Sequence, residues 1–205
     1  MKKFELTSET KVVFGRTLYR IKALVKFGNV DAGELGGWVE KEENLSQSGN
    51  AWVSGDAWVY GNARVSGDAE VSGNARVYGN AEVSGDAWVS GSAEVYGNAE
   101  VCGDARVSGD AWVSGNARVS GNAEVCKIGA IFWIGAIGSR NDTTTFFKCK
   151  DGKIRVSCGC FFGDLEEFAV KVKQTHGDNE HGRVYMLAIE MAKARIGDRD
   201  SEDTE

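Results

Sequence analysis

The middle of the chain follows a six-residue pattern of glycine, alanine and valine. From Gly49 to Cys126 the sequence reads Gly-[Asn/Asp/Ser]-Ala-x-Val-[Ser/Tyr/Cys] thirteen times without an insertion. Residues two apart in a strand share a side, so each valine and the alanine before it are expected to point inward. Glycine tolerates positive φ and Asn or Asp bonds back to the backbone, so each Gly-Asn or Gly-Asp pair predicts a turn. The narrow core that results favours short strands coiled one turn upon the next.

The tyrosines of the repeat indicate how many hexads make one coil. Tyr60, Tyr78 and Tyr96 recur every 18 residues, which is three hexads. Side chains with this period stack on one face of a triangular prism. At the ~4.8 Å spacing between strands, the repeat makes four to five coils and about 20 Å of prism. We therefore predict a mainly β protein whose residues 49–138 form a single-stranded parallel β-helix.

Such a prism exposes unpaired backbone at both ends and needs caps. Residues 1–48 are predicted to form the N-terminal cap, with a β-hairpin made of residues 11–14 and 17–21. Residues 33–40 then lead into the first coil, out of phase with the valines of the repeat.

The composition changes after residue 138. Before that point Ile131 and Ile137 keep the six-residue phase, which predicts one more partial coil. Beyond it, residues 143–149 and 153–158 are predicted to be two strands joined at a tight Asp-Gly turn. These strands begin a small ββαα module.

Two helices complete the module, which spans residues 139–196. The first is expected to begin at Asp164 as N-cap, with Glu167 in the capping-box position, and to end near residue 175. The second is predicted over residues 183–196 from its apolar residues at helical spacing. The polar tail, 197–205, is predicted to be disordered.

The acidic charge of the chain lies in the repeat. Residues 49–126 hold ten Asp and Glu and four Arg, which accounts for the whole net charge of −6. Nucleic-acid binding needs clustered Lys and Arg, so a nucleic-acid partner is not expected. The surface would suit a basic partner or simply keep the protein solvated.

Nothing in the sequence predicts export or membrane insertion. The N-terminus lacks the apolar stretch of a secretory signal, and no apolar run approaches the ~18 residues that span a bilayer. Five cysteines in a chain of this kind indicate reduced thiols. We expect a cytoplasmic protein.

One face of the prism is unusually aromatic. Its outward positions include Trp58, Tyr60, Tyr78, Tyr96 and Trp112. Aromatic side chains are enriched in protein interfaces, which predicts self-association or binding of a protein partner through this face. The alternative is that stacked tyrosines only favour strand formation.

The loop that follows the repeat is a candidate ligand site. Ser139 offers a backbone N–H, Arg140 a bidentate anion clamp, and Asn141 and Thr143 further polar groups. Such a loop could bind a phosphate or a nucleotide, or it could be a polar linker. Neither a cofactor nor a catalytic residue is indicated by the sequence.

The C-terminal module also contains a candidate set of metal ligands. Cys158, Cys160, His176 and His181 supply four sulfur or nitrogen donors, the number that a structural zinc site requires. Cys-x-Cys spacing places neighbouring ligands poorly for a standard knuckle. The alternative is that both thiols are core residues.

The repeat resembles the hexapeptide-repeat, left-handed parallel β-helix family. That family's motif is an aliphatic residue followed four positions later by a small one, as in Val53 and Ala57. The left hand is what the resemblance implies. The family includes acyltransferases that use a histidine base on the prism and carbonic anhydrases whose zinc is held by histidines. Residues 49–126 contain no histidine, so a non-catalytic protein is expected, with an acyltransferase as a distant alternative.

Both ends of the chain resemble hexapeptide-repeat proteins encoded by phages and prophages of low-GC Gram-positive bacteria. The matching segments are residues 18–24, 35–40, 44–46, 137–147, 158–161, 165–168 and 175–176. This resemblance implies a phage-encoded rod that presents a C-terminal binding module to a host protein, for example one that serves defence. The alternative function is a small-ligand or nucleotide binder, or sponge, through loop 138–145.

Overall fold

The computed structural model describes residues 1–197, so residues 198–205 of the predicted disordered tail lie outside the described part. The chain begins with a β-hairpin of β1 (Phe4–Val13) and β2 (Arg16–Ala23). The hairpin is where the sequence predicted it, with longer strands. A third strand, β3 (Leu35–Val39), pairs antiparallel with β2 and begins the prism.

Each hexad of the repeat contributes one two-residue strand. These strands are Trp52–Val53 (β4), Trp58–Val59 (β5), Arg64–Val65 (β6), Glu70–Val71 (β7), Arg76–Val77 (β8), Glu82–Val83 (β9), Trp88–Val89 (β10), Glu94–Val95 (β11), Glu100–Val101 (β12), Arg106–Val107 (β13), Trp112–Val113 (β14), Arg118–Val119 (β15) and Glu124–Val125 (β16). The valine and alanine side chains of the hexads are at most 1% exposed, as predicted for a core of these two residue types.

Parallel pairing joins each strand to the one three hexads further on. Val59 pairs with Val77, and Val77 pairs with Val95, which confirms the 18-residue coil. Within residues 1–197 the three faces have the strand orders β3-β5-β8-β11-β14, β4-β7-β10-β13-β16 and β6-β9-β12-β15. One strand per coil on each face makes about five coils, so the predicted parallel β-helix is confirmed.

The prism begins before the repeat does. Trp38 and Val39 in β3 pair in parallel with Trp58 and Val59, at a spacing of 20 residues instead of 18. A 3₁₀ turn, Glu42–Asn44, follows β3, and Leu45 bridges to Val65 still at a spacing of 20. The spacing is 18 at Trp52, which pairs with Glu70, so the two additional residues lie between Leu45 and Trp52. The first coil therefore begins within the segment that we assigned to the cap, and it is two residues longer than the coils that follow.

Donors from the N-terminal segment satisfy the backbone carbonyls at the open edge of this first coil. Lys3 Nζ donates to the oxygens of Gly49 (3.3 Å) and Ala51 (2.8 Å). Lys3 is only 4% exposed. Burial lowers the pKa of its ammonium to about 8, against a smaller opposing effect of the Asp68 carboxylate. The lysine thus caps the prism at the cost of a buried charge.

This buried ammonium predicts a pH-dependent stability. A lysine whose folded pKa lies below its unfolded value penalises folding at low pH, and the penalty disappears as pH rises from about 8 towards about 10.4. We expect the stability of the wild type relative to Lys3→Met to increase over this range, by about 3 kcal/mol. Urea titrations of both proteins at several pH values measure the difference, and a flat difference would contradict the buried charge.

The C-terminal end departs from the predicted ββαα module. Within residues 1–197 its sheet has four antiparallel strands in the order β17-β18-β19-β20. They are Ile131–Ile137 (β17), Asp142–Lys148 (β18), Ile154–Cys158 (β19) and Phe161–Asp164 (β20). The predicted strands at 143–149 and 153–158 correspond to β18 and β19, and the other two strands were missed.

The first strand of this sheet takes the place of the predicted extra partial coil. Ile131 still packs in the core of the prism, but Ile137 lies in a second core with Phe146 and Val156. β17 leaves the coil path to pair with β18, and Phe147 of β18 and Cys149 just after it pack into the core at the end of the prism. These side chains cover the core at the end of the prism, which a further coil would otherwise have to do.

Two helices pack on this sheet. α1 (Leu165–His176) begins with the predicted capping box, in which Asp164 and Glu167 each accept from the other's backbone N–H at 2.9 Å. α2 (Glu180–Ala192) begins three residues before the predicted start because the Asn179 side chain caps it. The α-helix ends at Ala192 and the chain continues as a π-helix over Lys193–Gly197, so the predicted helix to residue 196 is present but changes its hydrogen-bonding pattern.

Candidate interaction face and C-terminal cavity

The tyrosines of the first face form a continuous stack. The rings of Tyr60 and Tyr78 lie 5.0 Å apart at 2°, and those of Tyr78 and Tyr96 lie 5.0 Å apart at 3°. In-register parallel strands place identical residues directly over one another, so the 18-residue period of the sequence produces this geometry. The three side chains are half-buried.

The charges in the middle of this face are paired with one another. Arg76 Nη1 lies 3.2 Å from Glu94 Oε1, and the Tyr78 hydroxyl donates to Glu94 Oε2 at 2.9 Å. Burial and the hydrogen bond to Glu94 raise the pKa of Tyr78 far above its usual value. The phenol therefore stays neutral. A protein that covers the face would not bury an unpaired charge at its centre.

Trp58 does not belong to the open part of this face. The N-terminal hairpin covers it, with Lys11 Nζ 4.5 Å from its ring centroid and Arg76 Cζ 4.9 Å from it. Its indole nitrogen is buried and has no hydrogen-bond partner in the described part of the chain. At the other end Trp112 is 47% exposed. The open aromatic face therefore consists of Tyr78, Tyr96 and Trp112, with Tyr60 at its edge.

A second feature is a cavity of about 200 Å³ between the turns of the C-terminal sheet and the two helices. Its lining includes Ser139 and Arg140 from the predicted ligand loop and Cys158, Cys160 and His176 from the predicted metal set. Asn141, Thr143 and His181 do not line it. We call this site the C-terminal cavity. The fold thus brings together two sets of residues that the sequence suggested separately.

The threonines of the predicted ligand loop are occupied elsewhere. Thr144 is buried and its hydroxyl donates to Cys158 Sγ at 3.2 Å. The hydroxyl of Thr145, also buried, accepts from the backbone N–H of Arg118 at 3.0 Å and ties the sheet to the last coil. Both hydroxyls are therefore engaged inside the fold and are not exposed donors for a phosphate.

The metal hypothesis does not fit this geometry. The structure, over residues 1–197, has no group of three or more His, Cys, Asp or Glu side chains placed to hold a metal ion. The His176 ring instead lies beside those of His181 and Tyr185, at centroid distances of 5.8 and 5.7 Å. His181 does not line the cavity that Cys158, Cys160 and His176 line.

Tyr185 lines the cavity but was not among the candidate site residues that the sequence suggested. It is 6% exposed. Its hydroxyl accepts from the Cys158 thiol at 3.7 Å. Burial and the neighbouring Cys158 raise the pKa of Tyr185 to about 12, although Arg140 opposes this increase. A helical period identifies the buried face of α2 but does not show where the hydroxyl emerges.

Comparison with known proteins agrees with the repeat architecture. A family model described as the YdcK beta solenoid repeat matches residues 57–73, 69–84, 75–91, 99–115 and 111–126. Every matched segment lies within the hexads that build the prism. The chain is a β-solenoid repeat protein. No curated protein matches it in sequence. Across residues 1–197, none of the solenoid protein's helices is both long and apolar enough to cross a membrane.

Proposed function

We propose that the protein is a non-catalytic interaction protein that assembles through the open aromatic face of its solenoid. The observation that carries the proposal is the run of half-buried Tyr78 and Tyr96 and exposed Trp112 on a flat sheet. Tyrosine and tryptophan dominate the energetics of protein interfaces because each buries a large area while losing few rotamers. The first occupant that we propose is a second copy of the chain.

The geometry supports a flat interface on this side of the prism. Strands of adjacent coils are joined by backbone hydrogen bonds, for example from Tyr78 N to Val95 O at 3.0 Å. A rigid platform loses little freedom on binding, which lowers the entropic cost of association. Because Arg76 and Glu94 neutralise each other at 3.2 Å, the platform carries no isolated charge at its centre.

A charge placed in the tyrosine stack tests this function. We expect Tyr78→Glu to convert the oligomer to monomer, because the new carboxylate lies beside Glu94 and would have to be desolvated in the interface. Ser84→Glu is the matched control, since Ser84 holds the same position of the next hexad on a different face. Light scattering coupled to size exclusion measures the mass of each variant.

The result can also reject the face. Unchanged assembly of Tyr78→Glu would exclude the face as the interface between copies. A monomeric wild type would exclude self-association, and a different protein would then be the proposed occupant. In that case the same two variants separate the faces in a binding assay with the candidate partner.

The absence of histidine from residues 49–126 supports a non-catalytic role, because the acyltransferases that share the hexapeptide motif use a histidine base. We further propose, from the resemblance of both chain ends, that the protein is phage- or prophage-encoded and acts in the host cytoplasm on a host protein. The C-terminal module would then be held at the end of a rigid rod. Capture of a defence protein from host lysate by the wild type would support this role, and failure to capture any host protein would count against it.

A further inference from the structure

The C-terminal cavity combines an apolar floor with polar groups at its rim. Phe168 and Val172 of α1 are nearly fully buried and form the floor together with Phe161. Arg140 and Lys171 are exposed at the rim, where Asp142 is the acidic neighbour. Two permanent cations against one carboxylate favour an anion over a neutral or cationic molecule.

Arg140 is held over this cavity by the turn that follows β17. Gly138 adopts a φ of +70°, and a Cβ at that position would lie 1.8 Å from the Tyr185 hydroxyl oxygen. Only glycine therefore allows the turn to approach the phenol this closely. On the other side, Arg140 Nη1 would lie 3.1 Å from a Cβ built on Gly159. The guanidinium thus reaches from the first turn of the sheet to the turn between β19 and β20.

The Tyr185 hydroxyl supplies a donor beside this cation. Within residues 1–197 its hydrogen-bond partner is the Cys158 thiol, a weak donor at 3.7 Å. The phenol hydrogen is therefore available to an acceptor in the cavity. Because the hydroxyl stays protonated at neutral pH, it can donate to a carboxylate or phosphate oxygen, and hydrogen bonds to a charged acceptor are the stronger kind.

The size of the cavity restricts the ligand. The cavity has a volume of about 200 Å³. Sites for drug-sized molecules usually measure about 300–1,000 Å³. A ligand smaller than a nucleotide is therefore favoured. The aromatic floor suits a flat apolar body.

We propose that the C-terminal cavity binds a small organic anion with a flat apolar body. The carboxylate or phosphate group lies between the Arg140 guanidinium and the Tyr185 hydroxyl, and the body packs on Phe161 and Phe168. This site is independent of the open aromatic face, which lies on the solenoid.

Calorimetric titration with four probes tests the ligand class. Benzoate and phenyl phosphate carry an anionic group on a flat ring, benzamide keeps the ring without the charge, and inorganic phosphate keeps the charge without the ring. We expect at least one of the two aryl anions to bind about tenfold more tightly than both benzamide and inorganic phosphate. Equal binding of benzamide, or no binding of either aryl anion up to about 10 mM, would overturn the proposal.

Variants of the same full-length chain locate the binding. Arg140→Gln should weaken the aryl anion about tenfold, and Tyr185→Phe should weaken it severalfold, because each removes a donor to the anionic group. Arg183→Gln changes an exposed arginine of α2 that does not line the cavity, and its affinity should equal that of the wild type. Unchanged affinity in Arg140→Gln would overturn the assignment of the site. Circular dichroism shows that each variant keeps its fold.

Discussion

Asn44→Asp is expected to lower the free energy of unfolding by about 4 kcal/mol at neutral pH. Asn44 is fully buried at the open edge of the first coil. Its amide Nδ2 donates to the carbonyl oxygens of Gly61 (3.1 Å) and Ala63 (2.8 Å), and its Oδ1 accepts from the Lys41 backbone N–H (3.0 Å). The substitution keeps the shape but replaces the donor to two carbonyls with a buried negative charge.

The pH dependence of this variant has a defined sign. A buried carboxyl that faces carbonyl oxygens has a folded pKa above its unfolded value of ~3.9, so the loss of stability is complete above the folded pKa and shrinks at acid pH. Part of the stability should return near pH 4, where the neutral carboxyl donates to one of the carbonyls. Thermal melts from acid to neutral pH measure this change, with the wild type subtracted.

Asn98→Asp provides the matched control. Asn98 belongs to an exposed ladder of amides, in which it accepts from Asn80 and donates to Asn116, both at 2.9 Å. Water can solvate a carboxylate at this position, so the cost should be within about 0.5 kcal/mol. Equal destabilisation by the two substitutions would show that burial of Asn44 does not determine the stability of the prism edge.

Gly91→Ala is expected to cost about 4 kcal/mol, which for a chain of this size lowers Tm by about 10 °C. Gly91 has a φ of +67°, and an added Cβ would lie 2.9 Å from Gly109 N and 3.0 Å from Gly109 O on the next coil. The methyl group thus has to push apart two coils that are held by ladder hydrogen bonds, including Ser92 N to Gly109 O at 2.8 Å. Neither coil can move without disturbing its neighbours.

Gly152→Ala separates this clash from the cost of the backbone conformation. Gly152 has a similar φ of +77° in the turn between β18 and β19, and nothing lies within 4 Å of a Cβ built there. The left-handed conformation by itself costs about 1–2 kcal/mol for alanine. Calorimetry should therefore show a Tm decrease two to three times larger for Gly91→Ala. Equal decreases in Tm would show that the two coils can move apart locally without a loss of stability.

The repeat does not predict several features of the tertiary structure. Trp58 has the same outward position as Trp112, but the hairpin from residues 4–23 covers it and places Lys11 on its ring. Ile137 has the same spacing as the valines, but a better pairing with β18 takes its strand out of the coil path. In both cases a segment distant in sequence competes for the surface, and a periodic pattern contains no information about that competitor.

The candidate cavity shows the same division. The chemistry of the sequence suggests two separate sets of site residues, and the structure brings five of them together. Around the C-terminal cavity lie Ser139, Arg140, Cys158, Cys160 and His176. Asn141, Thr143 and His181 have similar chemistry but do not line it. The Tyr185 hydroxyl can reach the cavity because Gly138 has no side chain to occupy its place. Such convergence depends on how two turns and two helices pack.

The sequence by itself determined the solenoid: its register, its three faces, its valine and alanine core and the stack of tyrosines. Each hexad interacts with copies of itself three hexads away, so a local pattern is repeated until it specifies the packing. Only the tertiary structure decided how the prism ends, which aromatic residues stay open and which polar groups share a cavity. Those features depend on single contacts between unlike segments, such as the hydrogen bond from Lys3 to Ala51. Such contacts form only when distant parts of the chain come together in the folded protein.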